Sequence, residues 1–275
     1  MTREDRVKIF EDTVDYVRHN PFPTEKTMVE GTKFYGKKAN VDYDNIPRYG
    51  TDIKVVNNDC LYEAEKMIQD GLNPCVLNMA SFSTPGGGVT RGSAAQEENL
   101  FRRTDLFKSL YQFHAIGLNY GVKQKEERYP LEYNFGGIYT PLVTVFKGGE
   151  DVNYKRLDKI YAVSIVSVPA VKKPPLDNGK IATWAADIIK NKIRQIFDIA
   201  LENGHDSLVL SAFGCGAYGT PPEQMAKLFN NIIGSKRYKG AFKAIHFAII
   251  DVPSTNGAHN PQGNLKPFED VFKNV

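Results

Sequence analysis

The chain has 275 residues, is 41% hydrophobic and carries 35 basic against 32 acidic side chains, a formal charge of +3. That length and apolar share support a substantial core and exclude collagen-like or disordered classes, while so slight a positive surplus does not by itself argue for nucleic acid. No stretch approaches the roughly 20 apolar residues of a spanning helix, and Met1 to Arg6 lacks a signal-peptide core, so a cytoplasmic protein with no membrane association is expected. Three cysteines, Cys60, Cys75 and Cys215, without CxxC spacing argue for reduced thiols rather than a disulfide framework or a zinc site.

In chain order, Val7, Phe10, Val14 and Val17 predict a helix over residues 3–18, and Pro21 and Pro23 predict an extended arm after it. A strand at Ile53–Val56, a helix from Leu61 to Gly71 and a strand at Cys75–Ala80 follow. The loop Ser81 to Arg91 leads into a helix whose N-cap is predicted at Ser93, with Gln96 at N3 of a capping box. Residues 111–135 read as a long surface excursion, rich in tyrosine and glycine. Strands are predicted at Ile138–Phe146 and Ile160–Val168, and an amphipathic helix from Thr183 to Glu202. The strand Ser207–Phe213 ends in the loop Gly214 to Gly219, with Thr220 as N-cap and Pro221 at N1 of the next helix. Ala244–Ile250 is a last buried strand, 252–267 a proline-rich loop, and Phe268 to Val275 a short helix packing back.

Two of these strands end in glycine-rich loops that open helices, where free backbone amides and the helix dipole favour phosphate, so two such loops could clamp one diphosphate. Gly214 to Gly219 also matches GxGxxG, the dinucleotide-binding pattern. Its acidic companion is expected about 20 positions on. The nearest candidate, Asp251, comes 32 residues after Gly219, so a nicotinamide-dependent oxidoreductase is the weaker reading. Glu97 and Glu98 are adjacent on a helix, which turns their side chains roughly 100° apart and implies different jobs. The bland reading of both is dipole compensation in a first turn. Cys215 in a helix-opening loop is a conceivable thiol nucleophile, but a small residue lining a loop is the better reading. His246 reads as a satisfied core histidine, and the five histidines are too dispersed for a metal cluster.

The run from Asn78-Met79-Ala80 to Leu106, with Pro85-Gly86-Gly87-Gly88, Arg91-Gly92-Ser93-Ala94-Ala95-Gln96-Glu97-Glu98, Leu100 and Arg103, resembles the bacterial-type poly(ADP-ribose) glycohydrolases of the macrodomain superfamily. The similarity extends to Ile138-Tyr139-Thr140-Pro141 with Val145-Phe146, and to His205-Asp206 through Gly219. The resemblance implies a three-layer α/β/α macrodomain with a mixed central sheet, with residues 1–50 as a helical extension and arm and 51–275 as one globular unit.

It also implies hydrolysis of the O-glycosidic linkage in poly(ADP-ribose) or protein-linked ADP-ribose, by a monomer needing no cofactor and no sequence-specific nucleic acid. Glu98 would be the single general acid and base, and Glu97 would hold ribose hydroxyls. Gln96 and Asn78 would order the distal ribose, which Gly86, Gly87 and Gly88 approach closely. Gly214, Cys215, Gly216, Ala217 and Tyr218 would wrap the diphosphate, with Tyr218 standing where the family more often has phenylalanine, and Asp59 would contact adenine. The alternative within the same fold is a non-catalytic reader of ADP-ribose, against which retention of both glutamates weighs.

Overall fold

In a computed structural model describing residues 1–251 and 257–273, the chain opens with α1 (Arg3–His19), α2 (Glu25–Gly31), β1 (Lys33–Tyr35), β2 (Asp52–Val56), α3 (Cys60–Gln69) and β3 (Pro74–Met79). Then come α4 (Gln96–Arg103), α5 (Leu106–Leu110), β4 (Gly137–Lys147), β5 (Arg156–Val168) and the two-residue strands β6 (Leu176–Asp177) and β7 (Lys180–Ile181). The chain continues through α6 (Thr183–Glu202), β8 (Ser207–Leu210), α7 (Pro222–Ile233), β9 (Ala244–Ala248) and α8 (Leu265–Phe272). The predicted loop 252–267 and helix 268–275 fall in part, at 252–256 and 274–275, outside the described residues. Two compact units form: Met1–Gly36 with Asn78–Glu132 and Gly137–Pro169, and Lys37–Leu77 with Tyr133–Gly136 and Ala170–Val275.

In the first unit β1, β4 and β5 are antiparallel neighbours, with Lys33 opposite Tyr139 and Ile138 opposite Ser167. Helix α1 starts at a capping box: Asp5 N donates to Thr2 Oγ1 at 3.1 Å, and Thr2 N donates back to Asp5 Oδ2 at 3.0 Å. Its buried residues Phe10, Val14 and Val17 face inward, and the Phe10 ring lies 6.2 Å from Phe101 of α4. Arg102 Nε donates to the Arg6 carbonyl at 3.1 Å, so the N-terminal helix braces the helix bearing Gln96-Glu97-Glu98.

Two expectations fail in this unit. The predicted arm contains α2 and β1, which at seven and three residues are too short for periodicity to reveal. Residues 111–135 fail as a surface excursion only in part: Leu118, Tyr133 and 125–128 are exposed, but Tyr111, Phe113, Tyr129 and Leu131 are buried, and the segment makes 3-10 turns at Tyr111–Phe113 and Ala115–Tyr120. Aromatic rings supply large apolar area without needing a repeat, so the segment is anchored where the pattern looks irregular.

In the second unit β3, β8, β9 and β2 are successive parallel neighbours. Every residue of β8 and β9 is buried, as near-continuous apolar strands of a parallel sheet should be. Phe229, Phe247 and Phe272 pack α7 and α8 onto β9, with ring centroids 5.2 and 4.7 Å apart. His246 is a core histidine, as expected, but only half satisfied: Nδ1 meets Glu63 Oε1 at 2.7 Å, whereas the buried Nε2 has no hydrogen-bond partner among the described residues and lies 3.5 Å from Asp52 Oδ2. The strands are thus of mixed sense along the chain, antiparallel in the first unit and parallel in the second.

Candidate active site

In the first unit, β3 ends at Met79 and the chain turns through the glycine loop into α4. The helix begins two residues later than the predicted box requires: Ala95 is the N-cap, without a side-chain cap bond. Ser93 is instead drawn into the loop, its N–H donating to the Gly88 carbonyl at 3.1 Å and its carbonyl accepting from Arg102. Gln96 is not a capping residue either. Its Oε1 accepts from Met79 N at 2.8 Å and ties the helix start to the strand end.

Glu97 and Glu98 therefore occupy the second and third positions of α4 and turn back onto the loop. Glu97 accepts from Ser81 N (2.7 Å) and Gly86 N (3.0 Å), one amide on each carboxyl oxygen. Glu98 Oε1 accepts from Gly88 N at 2.7 Å, while Oε2 is buried with no hydrogen-bond partner among the described residues. A Cβ on Gly87 would stand 2.5 Å from Glu98 Oε1 and 3.2 Å from Glu97 Oε2, so both carboxyl groups flank this one residue. Their adjacency on the helix was expected to separate them; the folded loop brings both against its own backbone.

The glycines are needed for this. Gly86 and Gly87 have φ of +76° and +54°, and a Cβ on Gly86 would meet the Phe101 ring at 2.6 Å. The two carboxyls are 4% and 7% exposed. Burial pushes Glu97 up to about 8, helped by the charge of Glu98 and opposed by the Ser81 and Gly86 amides and the Asn78 side chain. A neutral Glu97 at pH 7 follows. Asn78, fully buried, donates to Ser167 Oγ at 3.0 Å, and its Oδ1 has no partner among the described residues.

Tyr111 and Tyr129 lie in the segment read from the sequence as a tyrosine-rich surface excursion, and neither was among the predicted site residues. Their buried hydroxyls have no partner among the described residues, and burial, with the Glu97 charge, raises both phenols. Among the buried polar atoms of this unit without a partner among the described residues, those of Tyr111, Tyr129, Asn78 and Glu98 belong to groups that interact with Glu97, where a ligand or water would satisfy them. Nothing local marks Tyr129, which reaches the site because Leu131 N donates to the Phe82 carbonyl at 3.0 Å. Arg102 and Arg103 bond the carbonyls of Arg6, Ser93 and Lys147, and the Arg102 charge is also close enough to Glu98 to interact with it.

In the second unit, the loop after β8 holds Gly214 at φ +75°, where a Cβ would press 3.0 Å from both Ala170 and Thr220. Helix α7 starts one residue later than predicted, with Pro221 as N-cap and Pro222 at N1. Thr220 is not its cap: its N–H donates to the Gly214 carbonyl at 3.0 Å and closes the loop. Gly216 and Ala217 are exposed, their amides donate to nothing among the described residues, and a Cβ on Gly216 would meet no atom within 4 Å. Tyr218 is half-buried, its carbonyl accepting from Lys173 N at 2.7 Å. Cys215 is fully buried and burial raises its thiol, which removes it as a nucleophile. Asp59 is the N-cap of α3, its Oδ1 accepting from Leu61 N at 2.9 Å and Tyr62 N at 3.2 Å.

With this geometry in hand, the chain was compared with known proteins. The family description "Microbial-type PARG, catalytic domain" matches residues 16–148. No curated protein matches. Among solved structures, the poly(ADP-ribose) glycohydrolase of Thermomonospora curvata bound to the inhibitor ADP-HPD is 26% identical at a TM-score of 0.78, covering 98% of this chain and 100% of that one. The Deinococcus radiodurans poly(ADP-ribose) glycohydrolase in complex with ADP-ribose aligns at 0.70 and 22% identity over 92% and 99%, a likeness of fold. The matched segment contains α4 and its glycine loop, and the chain has the mixed α/β macrodomain fold with an N-terminal helix, as in the microbial-type poly(ADP-ribose) glycohydrolases whose catalytic-domain description residues 16–148 match.

Proposed function

We propose that this chain hydrolyses the O-glycosidic linkage of poly(ADP-ribose) or protein-linked ADP-ribose and releases ADP-ribose, with Glu98 as general acid and base. The match of residues 16–148 to the microbial-type PARG catalytic domain and the likeness to the Thermomonospora curvata glycohydrolase support hydrolase activity on ADP-ribose linkages. The observation that carries Glu98 is its Oε2, a buried carboxyl oxygen left unpaired while Oε1 is fixed by the Gly88 amide. Protonated, Oε2 donates to the departing oxygen as the C–O bond at the anomeric carbon breaks. The resulting carboxylate then takes a proton from the attacking water, which restores the acid. These steps balance without metal or redox chemistry.

Besides the two amides it accepts, neutral Glu97 keeps its acid proton and a lone pair on its carbonyl oxygen, with which it donates to or accepts from ribose hydroxyls. Asn78 Oδ1 can accept another. The exposed amides of Gly216 and Ala217 suit a diphosphate, because no side chain holds the phosphate oxygens off. The test is incubation with poly- and mono-ADP-ribosylated protein, comparing the wild type with Glu98→Gln. Release by the wild type alone is expected; undiminished turnover in the variant contradicts the assignment.

A further inference from the structure

Within the second unit, three segments far apart in sequence converge on one groove of about 440 Å³, lined by Lys38, Arg194, Lys236 and Arg237. That volume is in the range of small-ligand sites, roughly 300–1,000 Å³. No carboxylate is among its lining residues, and none of the four cations has an ion-pair partner among the described residues. Such a cluster in a chain whose formal charge is only +3 is a local concentration of positive charge, and the negative group near it is the buried Asp198 beneath, whose carboxyl interacts with Lys38 and Arg237.

The backbone beneath the cations is already fixed. Gln195, buried on α6, accepts from Ala39 N at 3.0 Å and donates to the Lys37 carbonyl at 3.1 Å, which seats Lys38 beside the helix. Asn191 and Arg194 share a helix face, with Arg194 donating to Asn191 Oδ1 at 3.1 Å. Arg48 donates to the carbonyls of Arg237 (2.9 Å) and Lys239 (3.1 Å), and Tyr238 donates to the buried Asp198 at 2.6 Å. Arg237 lies over the Tyr43 ring, 4.6 Å from its centroid. Little ordering is then left for binding to impose. Half-buried Phe135 also lines the groove and adds apolar surface to it.

We infer that this groove is a second binding site, holding a non-reacting nucleoside-diphosphate unit of a poly(ADP-ribose) chain. The inference rests on the polymer-hydrolase reading above. A diphosphate concentrates its charges within one small groove, whereas nucleic acid spreads them along a strand and calls for an extended basic stripe. The site would let the enzyme hold long polymer more tightly than monomer.

The test uses the full chain carrying Glu98→Gln, so that polymer is not consumed, with and without Lys38→Glu/Lys236→Glu. Fluorescence anisotropy is read with labelled long poly(ADP-ribose), and calorimetry with monomeric ADP-ribose. Loss of the groove is expected to weaken long polymer at least roughly tenfold and to flatten the slope of log K against log salt by about 0.7 per lost contact. Monomer affinity stays unchanged, and so does a control pair of charge reversals at Lys54 and Lys227. Equal affinity of both proteins for long polymer overturns the proposal. Competition by single-stranded RNA or inorganic polyphosphate as strong as by poly(ADP-ribose), at matched charge, overturns it also. Release of ADP-ribose by the otherwise wild-type enzyme is measured separately, so failure of the hydrolase reading is seen independently.

Discussion

The two glycine loops, each between a strand and a helix, use the same residue for different physical reasons. In the first unit Gly86, Gly87 and Gly88 make room for the protein itself: a Cβ on any of them would strike Phe101, the glutamate carboxyls or Ser93. In the second unit Gly214 is needed for internal packing, whereas at Gly216 nothing protein-derived occupies the vacated space. A glycine whose missing side chain is already replaced by a catalytic-looking carboxylate shapes the site. One that faces open space leaves room for something the protein does not contain.

Alanine at the two positions separates these roles. Gly87→Ala puts a Cβ into left-handed backbone and against both carboxyls, and should lower stability by about 2–4 kcal/mol and abolish turnover. Chemical denaturation and a turnover assay would show it; a variant as stable as the wild type would contradict the geometry. Gly216→Ala should leave the melting temperature unchanged and weaken ADP-ribose by roughly 5- to 100-fold, because its Cβ overpacks only against bound ligand.

Glu97 sharpens the comparison through pH. Its folded pKa of about 8 exceeds the 4.5 of the free side chain, so the native state binds a proton more tightly than the unfolded chain. The stability this contributes is complete below 4.5 and is lost as pH rises through about 8, with a slope near 1.4 kcal/mol per pH unit between. Asp105, pushed by burial up to about 7, adds a slope in an overlapping window, so the diagnostic quantity is the difference between wild type and Glu97→Gln. The variant should lose one proton's worth of that slope. It should also be destabilised by about 1–3 kcal/mol, because the glutamine amide cannot accept from both Ser81 and Gly86. Identical slopes would mean that Glu97 is ionised in the native protein. The smallest effect is expected at Tyr218→Ala, roughly 2- to 10-fold weaker ADP-ribose binding by calorimetry with the fold intact. Unchanged affinity would remove the ring from the site.

Much of this was legible in the sequence because it depends on local chemistry. Helix α6 runs from Thr183 to Glu202 as its periodicity predicts, and the apolar strands around Leu208 and Phe247 are buried as their composition requires. The separation of Gly86–Gly88 from Gln96–Glu98 carried the family resemblance, and the segment that holds both matches the microbial-type PARG catalytic domain. The cap was misread because tertiary contacts outbid local pairing: Gln96 serves Met79, and Ser93 serves the loop. Thr220 was misread for the same reason, being held by Gly214. The convergence of Glu97 and Glu98 on Gly87, and the unpaired hydroxyls of Tyr111 and Tyr129, depend on how a loop closes and on residues tens of positions apart. Spacing along a helix cannot supply either.

The most direct test of the central claim is single-turnover release of ADP-ribose from modified protein by wild type and Glu98→Gln, with ADP-ribose affinity measured on both. The account predicts that the variant binds ADP-ribose comparably and loses about 10²- to 10⁴-fold in rate. A variant that releases ADP-ribose at the wild-type rate would place the acid elsewhere and contradict the account.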